Sequence, residues 1–477
     1  MERRTRIVAT LGPASTRPEV LDALIRSGLD VARINFSHGE PAQKIADIEA
    51  VRNAARRAGR NVAVLADLPG PKLRVRIPRE MDLVAGSCVS ICAKPRCEAD
   101  LDVTEPECIG QVAPGQRVLL DDGRLQLVAE RLEFGRLVAR VTVGGKLLPN
   151  KGLNLPDTRL TIAALTERDL GALNIAAQCD VDWLALSFVR DAWAASELRR
   201  VAADFGLHVP ILAKIERPEA VDRAEEIISA FDGVMVARGD LGVEIPLERV
   251  PSVQKRLIAM ARWAGKPVIT ATDMLDSMRE NPRPTRAEAS DVANAIYDGT
   301  DAVMLSGETA VGAYPVEAVA CMDRIAREVE PEIVNDARYH LPLAPGPIDD
   351  HVTHLTCNLA RDVKADAIIT PTMSGRTARL IARHRPAATI IAPSANESVL
   401  RQMALIWGVK PAPLEFPLPR GADRLEAAIR SAFNQGDVQE GQLVVVLAGH
   451  PNEGGERFPT IRLVRIGPTG APRQPVD

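Results

Sequence analysis

Ile211-Leu212-Ala213-Lys214-Ile215-Glu216-Arg217-Pro218 is the stretch around which the chain is organised. It opens as an apolar strand of the kind buried on both faces in a parallel sheet. Lys214 and Glu216 then break the pattern, and side chains two apart on a strand share a face. An ammonium and a carboxylate therefore project together from a strand otherwise made for burial. They are either a satisfied ion pair or chemistry, and at the end of a barrel strand chemistry is the commoner cause.

Outward from this strand the sequence repeats a strand-then-helix rhythm. Strands are predicted over 6–10, 31–36 and 61–67, then over 183–188, 211–215, 233–237, 268–271 and 302–305. Helical patterns lie between them, clearest over 17–27, 41–58 and 166–178. Eight such units in about 240 residues predict a (β/α)8 TIM barrel in the α/β class, with a doubly wound sheet as the alternative that periodicity leaves open. Residues 71–156 have another texture. Short β-branched segments at 118–120, 125–129 and 137–143 alternate with turn signals at Asp121-Asp122-Gly123, Phe134-Gly135 and Gly144-Gly145. They predict a small all-β domain inserted in one barrel loop, with Pro71 and Pro156 at its edges, where hinges would lie. A passage rich in proline (Pro342, Pro345, Pro347) marks a boundary, and strands over 367–370, 389–392 and 443–447 predict a C-terminal open α/β domain. The resulting division is 1–70 and 157–335 for the barrel, 71–156 for the inserted β domain, 336–350 for a linker and 351–477 for the C domain.

A length of 477 residues allows two to four domains, and 46% hydrophobic with 26% charged residues is a globular balance. Aromatic residues are only 3%, so the cores must be aliphatic. A net charge of -4 disfavours a wholly basic nucleic-acid binder. Neither a signal-peptide core nor an apolar run near the ~18 residues of a membrane span stands out, which predicts a cytoplasmic protein away from membranes. Seven cysteines include a cluster at Cys88, Cys92, Cys97 and Cys108, whose spacing fits no zinc template and reads as reduced structural thiols.

In a TIM barrel the reacting groups sit at the carboxyl ends of the strands. The second strand ends with Arg33, Asn35 and Ser37 on one face, and the third at Asp67. The fifth supplies Lys214 and Glu216, the sixth Gly239 and Asp240, the seventh Thr272, and the eighth Ser306 and Glu308. Each alone fits a solvated loop, but six in register do not arise readily that way. Glu216 and Asp240 are carboxylates on neighbouring strands, suited to a hard divalent ion such as Mg²⁺. Arg33 and Lys214 are cations able to take the charge that spreads over a phosphoryl group in transfer. Thr272 offers a hydroxyl for positioning or relaying a proton, and Gly239 lets backbone approach a ligand closely.

Thr10-Leu11-Gly12-Pro13-Ala14-Ser15 and the segments 30–39, 151–156, 212–216, 236–246, 283–294, 305–310 and 374–379 together resemble the pyruvate kinase family, in order along nearly the whole chain. The resemblance implies a homotetramer of barrel, lid and C domain that transfers phosphoryl from phosphoenolpyruvate to ADP, giving pyruvate and ATP. It implies Glu216 and Asp240 as ligands of Mg²⁺, with Mn²⁺ able to substitute. It implies Lys214 at the transferring phosphoryl and the enolate, and Arg33 at the phosphoryl. Gly239, Asp240 and Thr272 would border the substrate carboxylate and methylene, and Ser306 with Glu308 would hold a proton-delivering water. Asn35, His38, Arg74 and Lys151 match nucleotide contacts.

One departure is informative. Family members that need K⁺ carry threonine and lysine after the third-strand aspartate, then a glutamate; here Asp67 is followed by Leu68 and Pro69, and the later position is Lys72. This resembles the K⁺-independent subset, in which the lysine stands in for the ion beside Asn35, Ser37 and Asp67. In the C domain, Thr372, Ser374, Gly375, Arg376 and Thr377 precede or open a helix and predict an anion pocket, with a plain helix cap as the other reading, and the family resemblance implies a phosphorylated effector there. The acidic, glycine-rich 450–458 loop lacks a clamp for a sugar bisphosphate, so a sugar monophosphate or nucleotide is the expected class. Three other functions stay open: a Schiff-base aldolase on Lys214, a metal-dependent aldolase or lyase on a pyruvate enolate, and a catalytically silent metabolite sensor.

Overall fold

The computed structural model describes residues 2–336, 341–342, 346–415, 424–451 and 457–475. Eight parallel strands close into a barrel: β1 (Arg6–Thr10), β2 (Val31–Asn35), β3 (Ala63–Leu68), β4 (Trp183–Leu186), β5 (Ile211–Ile215), β6 (Gly233–Ala237), β7 (Val268–Ala271) and β8 (Ala302–Leu305). β1 pairs with β2 through Val8 and Val31 and with β8 through Arg6 and Ala302, which closes the sheet and rules out the open doubly wound alternative. Every residue of β3 through β8 is buried, as continuous apolar runs require in a sheet covered on both faces. Residues pointing outward, such as Ile7, Leu184 and Val234, pack under the surrounding helices.

The inserted segment forms its own β structure on its own core. Its five-stranded sheet has the order Leu153–Asn154, Arg117–Leu120, Leu125–Glu133, Arg136–Val143, Cys88–Cys92. Gly144-Gly145, expected as a plain turn, instead leads into the strand Gly145–Leu147, which pairs with Met81–Leu83. A capping box secures the chain's return to the barrel. Thr166 and Asp169 cap the helix Glu167–Gln178, and Asp169 also accepts the Gly70 N–H at 2.9 Å, joining both ends of the insertion.

Beyond the barrel, the helices Pro315–Asn335 and Ile348–Asp362 flank the boundary, the second starting inside the span expected as linker. The C-terminal sheet contains β9 (Ala367–Ile369), β10 (Thr389–Ser394), β11 (Val409–Pro413), β12 (Leu443–Pro451), β13 (Arg457–Ile466) and β14 (Pro472–Arg473), in the order β11-β10-β9-β12-β13-β14. This domain docks on the amino-terminal end of the barrel. Arg6 Nε, at the start of β1, donates to the Ile406 carbonyl at 2.8 Å, and Trp183 Nε1, at the start of β4, to that of Gln402 at 3.1 Å. One apolar cluster runs from the barrel interior (Val8, Leu65, Met235) into the core of the C domain (Leu405, Ile390). The opposite, carboxyl-terminal end of the barrel remains for chemistry.

Candidate active site

Lys214 stands at the centre of the mouth. Its Nζ lies 2.8 Å from Glu216 Oε1 and 3.4 Å from Asp67 Oδ1, and donates to Ser187 Oγ at 2.8 Å. Lys214 is 8% exposed and Glu216 is fully buried. Burial works against the ammonium, but Asp67 and Glu216 outweigh it and hold Lys214 above the ordinary lysine range. That is the reverse of what an amine nucleophile needs, so the Schiff-base alternative loses its support. Glu216 is pushed up by burial, with Lys214 opposing the shift and the Asp240 charge adding to it. Its Oε2 accepts the Phe188 N–H at 2.8 Å, whereas Oε1 meets Lys214 as an ion pair without the geometry of a hydrogen bond.

Arg33 is fixed from two sides. Its Nε donates to Asp67 Oδ2 at 2.7 Å and its Nη1 to Thr10 Oγ1 at 2.8 Å. Burial would raise the Asp67 carboxyl, but Lys214 and Arg33 draw it below the usual carboxylate range. Ser187 and Thr10 are the residues that sequence reasoning misses here. Both stand at strand ends, and extending the strand-end inventory to β1 and β4 would have found them.

Gly239 and Asp240 open the short helix Arg238–Glu244 directly after β6. A Cβ on Gly239 would lie 2.6 Å from Thr272 Cγ2, so only glycine allows this approach. Thr272 itself has φ of 74°, which is costly for a β-branched residue. Arg238 locks that turn, its Nη2 donating to the Thr272 carbonyl at 2.6 Å while the same guanidinium pairs with Asp291. A strained backbone held this firmly presents the threonine hydroxyl in one place. After β8, Glu308 is 1% exposed and spends its oxygens on backbone, accepting from Leu275 N–H at 3.1 Å and Ser306 N–H at 2.7 Å. Burial pushes its carboxyl up, with those backbone bonds opposing.

The rim is cationic. The His38 imidazolium is disfavoured by burial and then by the charges of Arg74, Lys44, Lys72 and Arg33, which gathers these groups in one neighbourhood. Arg74 Nη1 reaches the Asn150 carbonyl at 2.9 Å, and Asn35 Oδ1 accepts the Ser37 N–H at 2.9 Å. Lys151 pairs with Asp121 at 2.7 Å inside the inserted domain. Lys72, expected beside Asp67, instead pairs with Asp240 at 3.2 Å. The reason is occupancy: Arg33, Lys214 and Ser187 already engage Asp67, whereas Asp240 is a third exposed.

The C-domain residues lie away from this mouth. Thr372, Ser374, Arg376 and Thr377 line a cavity of about 510 Å³ with Ser394 and Asn396. Gly375, at φ of 72°, donates its N–H to Thr372 Oγ1 at 2.9 Å, and Arg376 pairs with Asp349. The side chains of 449–458, including the loop expected to lack a bisphosphate clamp, lie outside the described residues.

Comparison with known proteins bears on the whole chain. Residues 2–319 match the family model described as pyruvate kinase, barrel domain, and residues 350–463 the model described as pyruvate kinase, alpha/beta domain. The chain is 44% identical over 461 residues to the pyruvate kinase of Geobacillus stearothermophilus, covering 94% of this chain and 78% of that one. It is 44% identical over 456 residues to that of Mycobacterium intracellulare, and 40% identical over 459 residues to that of Clostridium acetobutylicum, in each case covering 94% of this chain and 96% of the relative. With both of its large domains matched and the strand-end groups in place, the chain belongs to the pyruvate kinase family.

Proposed function

We infer that this member of the pyruvate kinase family is a phosphotransferase that carries the phosphoryl group of phosphoenolpyruvate to ADP, giving pyruvate and ATP. The single observation that carries the site assignment is the buried Lys214 between Asp67 and Glu216, beside Arg33. Arg33 binds and orients the phosphoryl group, and Lys214 takes up charge on it and on the enol oxygen as the bond between them breaks. Gly239, Asp240 and Thr272 border the substrate carboxylate and methylene. The methylene carbon takes its proton from a water on the Thr272 side, with Ser306 and Glu308 keeping the adjoining turn in place. Asn35, His38, Arg74 and Lys151 hold the nucleotide, and closure of the inserted domain as a lid excludes the water that would otherwise hydrolyse the donor.

Glu216 and Asp240 fit a divalent cation: both offer only hard oxygen donors, Glu216 Oε1 has no hydrogen-bond partner among the described residues, and the two charges oppose each other. They would hold Mg²⁺, or Mn²⁺ in its place, which when bound supplies neutralisation of the phosphate and enolate oxygens. K⁺ is not required in this reading, because Lys72 brings a fixed positive charge to the same rim. The pocket at 372–377 takes a phosphate-bearing effector, a sugar monophosphate or nucleotide, in a homotetramer. A cytoplasmic location agrees with seven free thiols.

The test is pyruvate formation from phosphoenolpyruvate, ADP and Mg²⁺ in sodium-only buffer, followed by addition of KCl. Turnover that needs the nucleotide and changes little with KCl is expected; no pyruvate would overturn the activity, and a large rise with KCl the K⁺ reading. For the effector, isothermal titration with phosphorylated sugars and nucleotides should give heat that Ser374→Ala with Thr377→Ala removes, and a silent panel refutes it.

A further inference from the structure

We propose that Glu244 is a positioning residue that sets the separation of Glu216 and Asp240 from beneath and couples it to the root of the inserted domain through Asn154. The proposal rests on the reading of Glu216 and Asp240 as metal ligands. Glu244 closes the helix Arg238–Glu244 one turn after Asp240, on the same helical face. It is 2% exposed, and its Oε1 accepts from Asn154 Nδ2 at 2.7 Å and from Arg217 Nη1 at 3.1 Å. Arg217 is the residue after Glu216, and its Nη2 also donates to the carbonyls of Leu155 at 3.3 Å and Thr158 at 3.4 Å. Asn154 ends the strand Leu153–Asn154, three residues past Lys151.

Three segments thus meet at one buried oxygen: the strand end bearing Glu216, the helix bearing Asp240 and the chain leaving the inserted domain. Glu244 touches none of the reacting groups; it acts through the two segments that carry the carboxylates. Its Oε2 has no hydrogen-bond partner among the described residues, so the donors from the two domains share Oε1. Withdrawing Asn154 changes how firmly that oxygen holds Arg217, and with it where Glu216 stands. An ion pair that is merely structural would matter to folding and leave the affinity for a metal untouched.

Mn²⁺ binding to the full chain, read by electron paramagnetic resonance without substrate, separates these cases. Glu244→Ala should weaken Mn²⁺ binding by about 10-fold to 100-fold. Glu244→Gln, whose amide oxygen accepts the same two bonds, should recover most of the loss. Asn154→Ala should weaken binding by a smaller factor and add nothing in the Glu244→Ala background, where its partner is already gone. Wild-type affinity in Glu244→Ala, or additive effects in the double variant, overturns the proposal. Should Glu244→Ala not fold, Asn154→Ala decides alone, with weaker binding in support and wild-type affinity against. Glu216→Gln distinguishes the underlying reading: if it binds Mn²⁺ like the wild type, the metal assignment falls and this proposal with it.

Discussion

At the residue scale the proposed chemistry depends on one cation kept charged in a buried place. Lys214 is surrounded by Asp67, Glu216 and Ser187, so replacing it removes the charge proposed to meet the phosphoryl group and leaves its neighbours unbalanced. Lys214→Met should keep binding of phosphoenolpyruvate, since Arg33 remains anchored on Asp67 and Thr10, while kcat falls by about 10²-fold to 10³-fold. Steady-state kinetics with a direct binding measurement check this, and a near wild-type rate would end the assignment. The pairing of Lys214 with Glu216 is legible from strand period alone. The presence of Asp67 and Ser187 at the same ammonium is not, because those residues come from β3 and β4 and meet it only when the sheet closes.

At the scale of elements, the turns after β7 and β8 are held together by a carboxylate. Glu308 joins the Leu275 and Ser306 amides, so Glu308→Ala strands two backbone donors that its burial shuts away from water. A stability loss of about 1–3 kcal/mol by urea denaturation is expected. A larger proportional fall in kcat should accompany it, because the turn carrying Thr272 adjoins this bridge. Kinetics on the folded variant separate the two effects. The barrel strands are readable from apolar runs, whereas β11 is not: Pro411 and Pro413 argue against a strand, and it exists only because it lies at the sheet edge, where a missing N–H is tolerated.

At the scale of the whole molecule, the barrel's amino-terminal end is tied down by buried charge. Asp30 is 2% exposed and accepts from Arg3 Nη1 at 2.8 Å, from Arg60 Nη2 at 3.2 Å and from the Ile7 N–H at 2.9 Å. Burial would raise its carboxyl, but Arg3, Arg6 and Arg60 outweigh that and hold it below the usual range. Its contribution is therefore fully present above the unfolded value of about 3.9 and is lost as pH falls through the lower folded value. Asp30→Asn should cost about 3–5 kcal/mol at pH 7 by removing the buried carboxylate that Arg3, Arg6 and Arg60 share. The gap between wild type and variant in denaturation should narrow as the pH is taken below about 4; a gap that stays constant into acid would refute the account.

What the sequence determines by itself is everything that strand and helix periods carry: eight βα units, an inserted β segment, and charged residues at the carboxyl ends of otherwise apolar strands. Those signals are local, set by which side chains alternate over a few residues. What only the tertiary structure decides is which distant groups share a partner. It sends Lys72 to Asp240 because Asp67 is already engaged, and it seats the C domain on the amino-terminal end of the barrel so that one apolar core spans both. It also brings Asn154, Arg217 and Glu244 to one oxygen. Hydrogen bonds and ion pairs reach only about 3 Å, and no pattern within a strand or a helix specifies which remote residue will stand at that distance.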